Sequence, residues 1–234
     1  MIKLIALDMD GTITQHKSHL DEKNRSTLEQ LKKKYSIVIV GAGTCDRINK
    51  QLELSGIDII GSYGMQQGSV IGKQIVLTKN EKVAVDNVNV TNKVEVLRER
   101  FGYKEYNGDS VEFHETGMVT IPLLGTKADL ADKLAFDPQR VIRRGFYQDV
   151  VELFPEYTVF IGGTSSFDMA PAPFNKLYAL EEYAKEKSIN KDEIIYIGDD
   201  YGVGGNDEQV YHSAIEFITI DNYQDFSKKV QFLL

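Results

Sequence analysis

The stretch IKLIALDMDGT at residues 2–12 decides the fold. Its first six residues form a short, nearly continuous apolar run, which is typical of a strand buried on both faces of a sheet. The run stops at Asp8, and Asp10 and Gly11 follow. Open parallel sheets bind ligands at the carboxyl ends of their strands, and a glycine lets the chain turn there. The stretch predicts a central strand with two carboxylates at its end, although such a string taken alone could also be a surface turn.

Strands and helices alternate in both terminal parts of the chain. Apolar residues at helical spacing predict helices over residues 21–34, 46–54 and 176–187. Short apolar runs predict strands over residues 36–40, 57–60, 193–197 and 214–218. Strands that alternate with helices at this pace indicate a parallel, doubly wound sheet. We therefore predict an α/β fold with a Rossmann-like core.

In the middle of the chain, strands and helices do not alternate regularly. It contains a predicted hairpin over residues 68–78, a helix over 81–100, and alternating strands at 110–114 and 118–122. Helices near 127–134 and 138–154 and strands near 157–161 and 165–169 follow. Such grouped strands and helices are typical of an α+β lobe. We predict a catalytic core of residues 1–79 and 171–234 and an inserted α+β cap of residues 80–170 that determines substrate specificity.

The composition limits the classes of partner. The chain has 234 residues and a net charge of −8, so nucleic acid is not an expected partner. Its one cysteine, Cys45, permits neither an intrachain disulfide nor a cysteine-based metal cage. No apolar run approaches the ~20 residues that cross a bilayer, and the residues before the first strand leave no room for a signal peptide. We expect a cytoplasmic protein without a membrane partner.

A second acidic group follows another buried strand. Asp199 and Asp200 follow the predicted strand 193–197 after a single glycine, and Asp207 ends the glycine-rich loop behind them. Carboxylates brought together from two strand ends form an all-oxygen site that suits Mg²⁺. A glycine-rich acidic loop could also be merely solvated, but the presence of Asp8 and Asp10 argues against that interpretation.

Two further features could hold a phosphate. Lys176 begins the helix after the cap and could neutralise a phosphoryl oxygen, although a lysine at a helix start is often just solvated. Gly43 and Thr44 end the second strand and open a helix, where backbone N–H groups and a hydroxyl bind phosphate well. Taken alone, either feature is a weak signal.

In this order the motifs resemble those of the haloacid dehalogenase superfamily. The resemblance implies that Asp8 attacks phosphorus and that Asp10 serves as the acid and base. It also implies that Lys176 and Thr44 contact the phosphoryl group, and that Mg²⁺ is bound by four residues: Asp8, Asp10, Asp199 and Asp207. The second motif can also be aligned with Gly43 at the hydroxyl position. We choose Thr44 because the chemistry calls for a hydroxyl there.

Within the superfamily the chain resembles the eukaryotic-type α-phosphomannomutases. GGTSSFD at residues 162–168, GDDYGVGGND at 198–207, Val111-Glu112-Phe113 and Gly117-Met118 carry the likeness. It implies that Ser166 and Asp168 contact sugar hydroxyls. The remaining substrate-binding residues that we predict are Gly43, Lys17, Asn107 and His114.

The residues at four positions argue against a mutase. That family grips the distal phosphate with arginines, whereas this chain has Lys17, Asn107, His114 and Thr126. Losing several charge-assisted contacts at about 1.5–3 kcal/mol each would release a bisphosphate easily. We therefore predict an Mg²⁺-dependent phosphatase for a small phosphorylated metabolite, a sugar phosphate, with phosphomannomutase as the alternative.

Arginines elsewhere in the predicted cap could replace the missing ones. Arg140, Arg143 and Arg144 lie there, although a solvated helix face is the expectation for them. A non-catalytic module that binds a phosphorylated ligand is a remote possibility, because such a module should have lost part of the motif set. The sequence leaves open the identity of the sugar and whether the protein forms a homodimer.

Overall fold

The computed structural model describes residues 1–16 and 18–234 of the chain. Lys17, which we predicted to bind substrate, lies outside the described residues. The chain divides into two units. The first unit contains Met1–Glu81, Phe174–Gly202 and Asp207–Leu234, and the second contains Lys82–Pro173 and Val203–Asn206.

The strands and helices of the described residues follow the predicted rhythm. The strands are β1 (Leu4–Leu7), β2 (Ser36–Val40), β3 (Asp58–Gly61), β4 (Gln66–Ile71), β5 (Gln74–Asn80), β6 (Glu112–Phe113), β7 (Val119–Pro122), β8 (Tyr157–Gly162), β9 (Ser166–Pro171), β10 (Ile194–Gly198) and β11 (Glu216–Thr219). The α-helices are α1 (Glu22–Leu31), α2 (Cys45–Leu52), α3 (Asn87–Phe101), α4 (Leu130–Phe136), α5 (Val141–Leu153), α6 (Lys176–Glu186), α7 (Glu208–Tyr211) and α8 (Phe226–Lys229).

The first unit is built on a sheet whose strand order, over the described residues, is β11-β10-β1-β2-β3-β4-β5. The strands from β11 to β3 run parallel to one another. β4 and β5 form the predicted hairpin and extend the same sheet in antiparallel fashion. This strand order confirms the predicted α/β class with its parallel core.

Both faces of the central strand are covered. Ile5 and Leu7 belong to an apolar cluster on one face, and Leu4 and Ala6 belong to a cluster on the other. All four side chains are fully buried. A strand that is apolar at successive positions can only be stable between two helical layers, because alternate side chains point to opposite faces. This burial fixes β1 in the middle of the sheet and places Asp8 at its carboxyl end.

The second unit has an antiparallel sheet with the order β6-β7-β9-β8. Its core contains Val94 from α3, Val150 from α5 and Phe167 and Met169 from β9, all fully buried. Thr120 pairs with Asp168 across β7 and β9, and this register sets their side chains on the same face.

The first helix of the second unit begins later than predicted. The periodicity predicted a helix from residue 81, whereas α3 begins at Asn87. Asp86 caps it by accepting a hydrogen bond from the Asn89 N–H at 3.0 Å. Upstream, the Val83 N–H bonds the Thr116 carbonyl at 3.0 Å, so this segment is tied to the β6–β7 turn instead of a helix. Among the described residues, no helix is long and apolar enough to cross a membrane.

Candidate active site

The end of β1 forms the first part of the site. Asp8 follows the strand directly, is 5% exposed, and donates its backbone N–H to the Ile197 carbonyl of the neighbouring β10. Gly11 has φ +99°, and a Cβ built on it would lie 2.4 Å from Asp199 Oδ2. A side chain at position 11 would therefore push Asp199 away. Thr12 completes the turn, because its hydroxyl donates to Asp199 Oδ1 at 2.8 Å.

Lys176 holds two carboxylates together. Its Nζ lies 2.6 Å from Asp8 Oδ1 and 2.7 Å from Asp207 Oδ1. Lys176 begins α6, which Asn175 caps by accepting from the Tyr178 N–H at 2.8 Å. The lysine and Asp207 are both fully buried. A buried ammonium costs several kcal/mol in lost hydration unless it is paired, and the two carboxylates supply that pairing.

Asp207 is fixed from several directions. One of its oxygens accepts from the Tyr196 hydroxyl at 2.6 Å as well as from Lys176. The other accepts from the backbone N–H groups of Asp199 and Asp200 at 3.2 and 3.1 Å. The loop after β10 therefore folds back around this carboxylate, which brings Asp199 to the end of β1.

Burial and crowding control the ionisation of these groups. Burial raises the pKa of Asp8 well above its ordinary value, with Lys176 opposing the shift and Asp207 and Asp199 adding to it. Burial, followed by Asp207, raises the pKa of Asp199 to about 6. Although burial alone would lower it, the pKa of Lys176 is raised because Asp207 and Asp8 stabilise the ammonium. Crowding of these carboxyl groups around a single ammonium therefore opposes the full ionisation of Asp8 and Asp199.

The chemistry of the donor set fits a divalent cation. Asp8, Asp199 and Asp207 each offer a carboxylate oxygen, and these oxygens lie within 4.8 Å of one another. Three clustered carboxylates with one ammonium leave a surplus of negative charge, which a hard cation with oxygen ligands would neutralise. The structure therefore brings together three of the four predicted metal ligands by their side chains.

Asp10 is held by helix α2. Its Oδ2 accepts from Arg47 Nη2 at 3.1 Å, and its Oδ1 accepts from Gln51 Nε2 at 2.9 Å. Arg47 and Gln51 lie four residues apart on the helix, and Arg47 Nη1 also donates to Gln51 Oε1 at 3.2 Å. Sequence reasoning missed both residues. The available signal was their i,i+4 spacing directly after the second motif.

Gly43 and Thr44, the second motif, lie at the start of α2, where Thr44 caps the helix and Gly43 lies close to the Arg47 side chain. Thr44 caps α2, since its hydroxyl oxygen accepts from the Arg47 N–H at 3.2 Å, and the residue is exposed. Gly43 precedes it, and a Cβ built on Gly43 would lie 2.2 Å from Arg47 Nε. The hydroxyl of Thr44 and the backbone of Gly43 thus both lie at the N-terminus of α2.

The predicted substrate residues of the second unit fall into separate groups. His114 Nε2 lies 3.0 Å from the Thr120 hydroxyl, which donates to Asp168 Oδ1 at 2.8 Å. Because the single hydroxyl proton is given to Asp168, His114 Nε2 must donate to Thr120. Ser166 lies on the same strand as Asp168 and donates to the Gly162 carbonyl at 3.1 Å.

Asn107 and Thr126 belong to a loop pair beside this sheet. Asn107 Nδ2 donates to the Lys127 carbonyl at 3.1 Å. The Thr126 hydroxyl accepts from the Asp109 N–H at 2.9 Å and donates to the Asp109 carboxylate at 3.2 Å. Both side chains therefore make contacts that fix the local loop, and both are exposed or half-buried.

The expectation of a solvated face for Arg143 was wrong. This residue is 1% exposed, and its guanidinium donates to Asp137 Oδ2 at 3.0 Å and to the Gly162 carbonyl at 2.7 Å. Burial is tolerated because main-chain carbonyls and a carboxylate accept nearly all of its N–H groups. Arg140 is half-buried and Arg144 is exposed.

Comparisons with known proteins agree on one family. The sequence model of the family described as "Eukaryotic phosphomannomutase" matches residues 24–234. The chain is 28% identical to the phosphomannomutase of Saccharomyces cerevisiae, over 89% of this chain and 84% of the yeast protein. It is 26% identical to the phosphomannomutase of Encephalitozoon cuniculi, over 97% of this chain and 91% of that protein.

Solved structures share the fold. The IMP-nucleotidase of Plasmodium falciparum matches with a TM-score of 0.71 and 16% identity, over 99% of this chain and 68% of that chain. The protein Thermoplasma acidophilum 0175 matches with a TM-score of 0.63 and 14% identity, over 100% of this chain and 98% of that chain. At these identities the likeness concerns the fold alone.

These comparisons overturn the phosphatase prediction and favour the mutase. The prediction treated every missing arginine as a lost grip on the distal phosphate. Amide, hydroxyl and imidazole groups also donate hydrogen bonds to phosphate, so arginine content alone does not determine whether water or a sugar receives the phosphoryl group. The resemblance to the haloacid dehalogenase superfamily and to its phosphomannomutase branch is confirmed. The chain belongs to the eukaryotic phosphomannomutase family.

Proposed function

We propose that this chain is an Mg²⁺-dependent phosphomutase that interconverts hexose 1-phosphates and hexose 6-phosphates through an aspartyl phosphate on Asp8. The observation that carries the proposal is the buried group of Asp8, Asp199, Asp207 and Lys176 at the end of the central strand. The names of the family and of the relatives support mannose phosphates as the substrates.

Asp8 is proposed as the nucleophile. Its carboxylate attacks phosphorus while the bond between phosphorus and the leaving sugar oxygen breaks. Lys176, which already contacts Asp8 at 2.6 Å, would offset charge on the transferring group and keep Asp8 oriented. We propose that the Thr44 hydroxyl and the Gly43 backbone bind the phosphoryl oxygens at the start of α2.

Asp10 is proposed as the general acid and base. In its protonated form it gives a proton to the leaving sugar oxygen, and as a carboxylate it later takes a proton from the sugar hydroxyl that receives the phosphoryl group. A single residue can serve both steps because one is the reverse of the other. The contacts from Arg47 and Gln51 support this role, since they keep the carboxylate in one orientation.

Mg²⁺ is the proposed cofactor. Asp8, Asp199 and Asp207 would hold it through carboxylate oxygens and Asp10 through its backbone carbonyl. When bound, the ion would offset negative charge on the phosphoryl oxygens.

The inserted cap of residues 80–170 is proposed to select the substrate. Ser166 and Asp168 would bind sugar hydroxyls, and the remaining predicted contacts to the sugar phosphate are Lys17, Asn107 and His114. The core of residues 1–79 and 171–234 would carry out the chemistry. A cytoplasmic location and a homodimer also stay predictions, and light scattering of the purified protein would test the second.

A product analysis tests the proposed function. The enzyme is incubated with MgCl₂, mannose 1-phosphate and glucose 1,6-bisphosphate, and mannose 6-phosphate and free phosphate are measured in the same sample. We expect isomerisation to exceed phosphate release by at least about tenfold, because the aspartyl phosphate must persist until a sugar hydroxyl attacks it.

The matched controls are EDTA in place of MgCl₂ and the variant Asp8→Asn, each of which should abolish both products. Phosphate release at a rate similar to or above that of isomerisation would contradict the proposal. Turnover that survives EDTA would remove Mg²⁺ from it.

A further inference from the structure

The guanidinium of Arg47 occupies the space beside Gly43. A Cβ at position 43 would lie 2.2 Å from Arg47 Nε and 2.6 Å from Cζ, which is closer than any normal contact. Any other residue at position 43 would therefore compete with Arg47 for the same volume. The guanidinium can occupy its observed position because Gly43 has no side chain.

From that position Arg47 reaches Asp10. Its Nη2 donates to Asp10 Oδ2 at 3.1 Å, while Gln51 Nε2 donates to Oδ1 at 2.9 Å. Both carboxylate oxygens are thus held by one face of α2, and the bond from Arg47 Nη1 to Gln51 Oε1 links the two donors. A planar guanidinium fixes the plane of its partner better than a lysine ammonium can.

The pair contributes little to folding stability. The Arg47 side chain is 39% exposed and that of Asp10 is 17% exposed. Ion pairs this close to solvent typically contribute less than about 1 kcal/mol. A contact that adds so little stability, yet holds one oxygen of the proposed acid and base, indicates a role in the reaction.

We propose that Arg47, given space by Gly43, is a positioning residue that orients the Asp10 carboxylate for proton transfer. The proposal rests on the proposed function, in which Asp10 is the acid and base. It makes a prediction that depends on the leaving group. A sugar alkoxide needs a proton from Asp10 in order to leave, whereas p-nitrophenolate leaves without one.

The test compares two phosphoryl donors in single turnover. Wild type and Arg47→Ala are mixed with glucose 1,6-bisphosphate or with p-nitrophenyl phosphate, and phosphorylation of Asp8 is followed. In Arg47→Ala we expect the rate constant with the sugar donor to fall by about 10²-fold and that with p-nitrophenyl phosphate by less than about threefold. Arg47→Lys should recover part of the loss.

Gly43→Ser provides a second, independent variant. The serine side chain must displace the guanidinium, which can move because it ends a flexible, partly exposed side chain. We expect the sugar donor to be affected selectively here too. The double variant Gly43→Ser/Arg47→Ala should be no slower than Arg47→Ala alone, because both changes remove the same contact.

The outcomes separate this proposal from the proposed function. If wild type accepts a phosphoryl group from neither donor, the proposed function fails and the positioning role fails with it. If wild type is active but Arg47→Ala slows both donors equally, or raises only the KM, Arg47 binds phosphate or supports the fold, and the positioning role alone is overturned. A double variant slower than wild type by the product of the two single effects would also overturn it.

Discussion

Lys176 lies 2.6 Å from Asp8 in the interior of the first unit, with side-chain exposures of 0% and 7%. The same ammonium contacts Asp207 at 2.7 Å, so one cation separates two carboxylates that would otherwise repel each other. Lys176 therefore has two roles. It offsets the charge of these carboxylates, and it would offset charge on a transferring phosphoryl group.

Lys176→Met should therefore damage both activity and stability. The methionine keeps the length of the side chain, but it leaves the buried carboxylates without a cation, which typically costs about 3–5 kcal/mol. We expect kcat to fall by at least about 10²-fold. Urea unfolding in EDTA and in MgCl₂ measures the stability, and Mg²⁺ should stabilise the variant more than wild type because it replaces the missing positive charge. Equal stabilisation of the two proteins would argue against a metal site beside Lys176.

Asp8→Asn should abolish turnover without unfolding the protein. The amide keeps the shape of the carboxylate but cannot form an acyl phosphate. Burial and the neighbouring carboxylates already oppose ionisation of Asp8, so the neutral residue should be tolerated in the metal-free state. Mannose 6-phosphate formation and the thermal midpoint in EDTA are the measurements. Activity within about tenfold of wild type would exclude Asp8 as the nucleophile.

Asp199 and Asp207 should respond differently to the same change. Asp199 is half-buried and accepts a hydrogen bond from Thr12. Asp207 is fully buried and accepts from Lys176, Tyr196 and two backbone N–H groups. We expect Asp199→Asn to weaken Mg²⁺ binding with little loss of stability, and Asp207→Asn to weaken both. Calorimetric Mg²⁺ titration and urea unfolding in EDTA separate the effects. Unchanged Mg²⁺ affinity in both variants would contradict the ligand assignment.

The end of β1 was predictable because its sequence permits few arrangements. A nearly continuous run of five apolar residues among six, followed by a carboxylate, is typical of a covered parallel strand, and helices on both sides supply that cover. The predicted strands β1 and β2 and the start of α6 at Lys176 agree with the structure within a few residues. Local periodicity and strand burial determine these features, and both can be read from the sequence.

The partners of Asp10 were not predictable in the same way. Arg47 and Gln51 form one of two polar i,i+4 pairs on α2, and Asp46 with Lys50 is the other. Only the position of the helix beside the end of β1 distinguishes them. The same holds for Arg143, whose burial depends on carbonyls of a turn about twenty residues further along the chain. Such contacts follow from tertiary packing, which overrides the pattern of charges.

The hydrogen bonds of Arg143 lead to a prediction about the stability of the second unit. Its Nη1 donates to the carbonyls of Gly162, Gly163 and Ser166 at 2.7, 3.2 and 3.3 Å, which ties α5 to the turn between β8 and β9. Asp137 accepts from the backbone N–H and from Nε of Arg143, both at 3.0 Å. Burial opposes the ionised form of Asp137, but the bonds from Arg143 and Ile142 outweigh it and lower the pKa of this carboxyl.

The Asp137–Arg143 pair should therefore stabilise the fold above acidic pH and lose that effect on acidification. Because the pKa of Asp137 is lower in the folded than in the unfolded chain, its contribution is fully present above the unfolded value of about 4 and disappears as the pH falls through the folded value. Asp137→Asn should cost about 1.5–3 kcal/mol near neutral pH, and its difference from wild type should shrink below pH ~4. Urea unfolding from pH 7 down to pH 3 measures this, with Asp149→Asn, a half-buried helix position that forms an ion pair with the exposed Arg100, as the matched control. A gap between wild type and Asp137→Asn that stays constant over this range would show that the carboxylate charge contributes nothing, and that packing alone holds the turn.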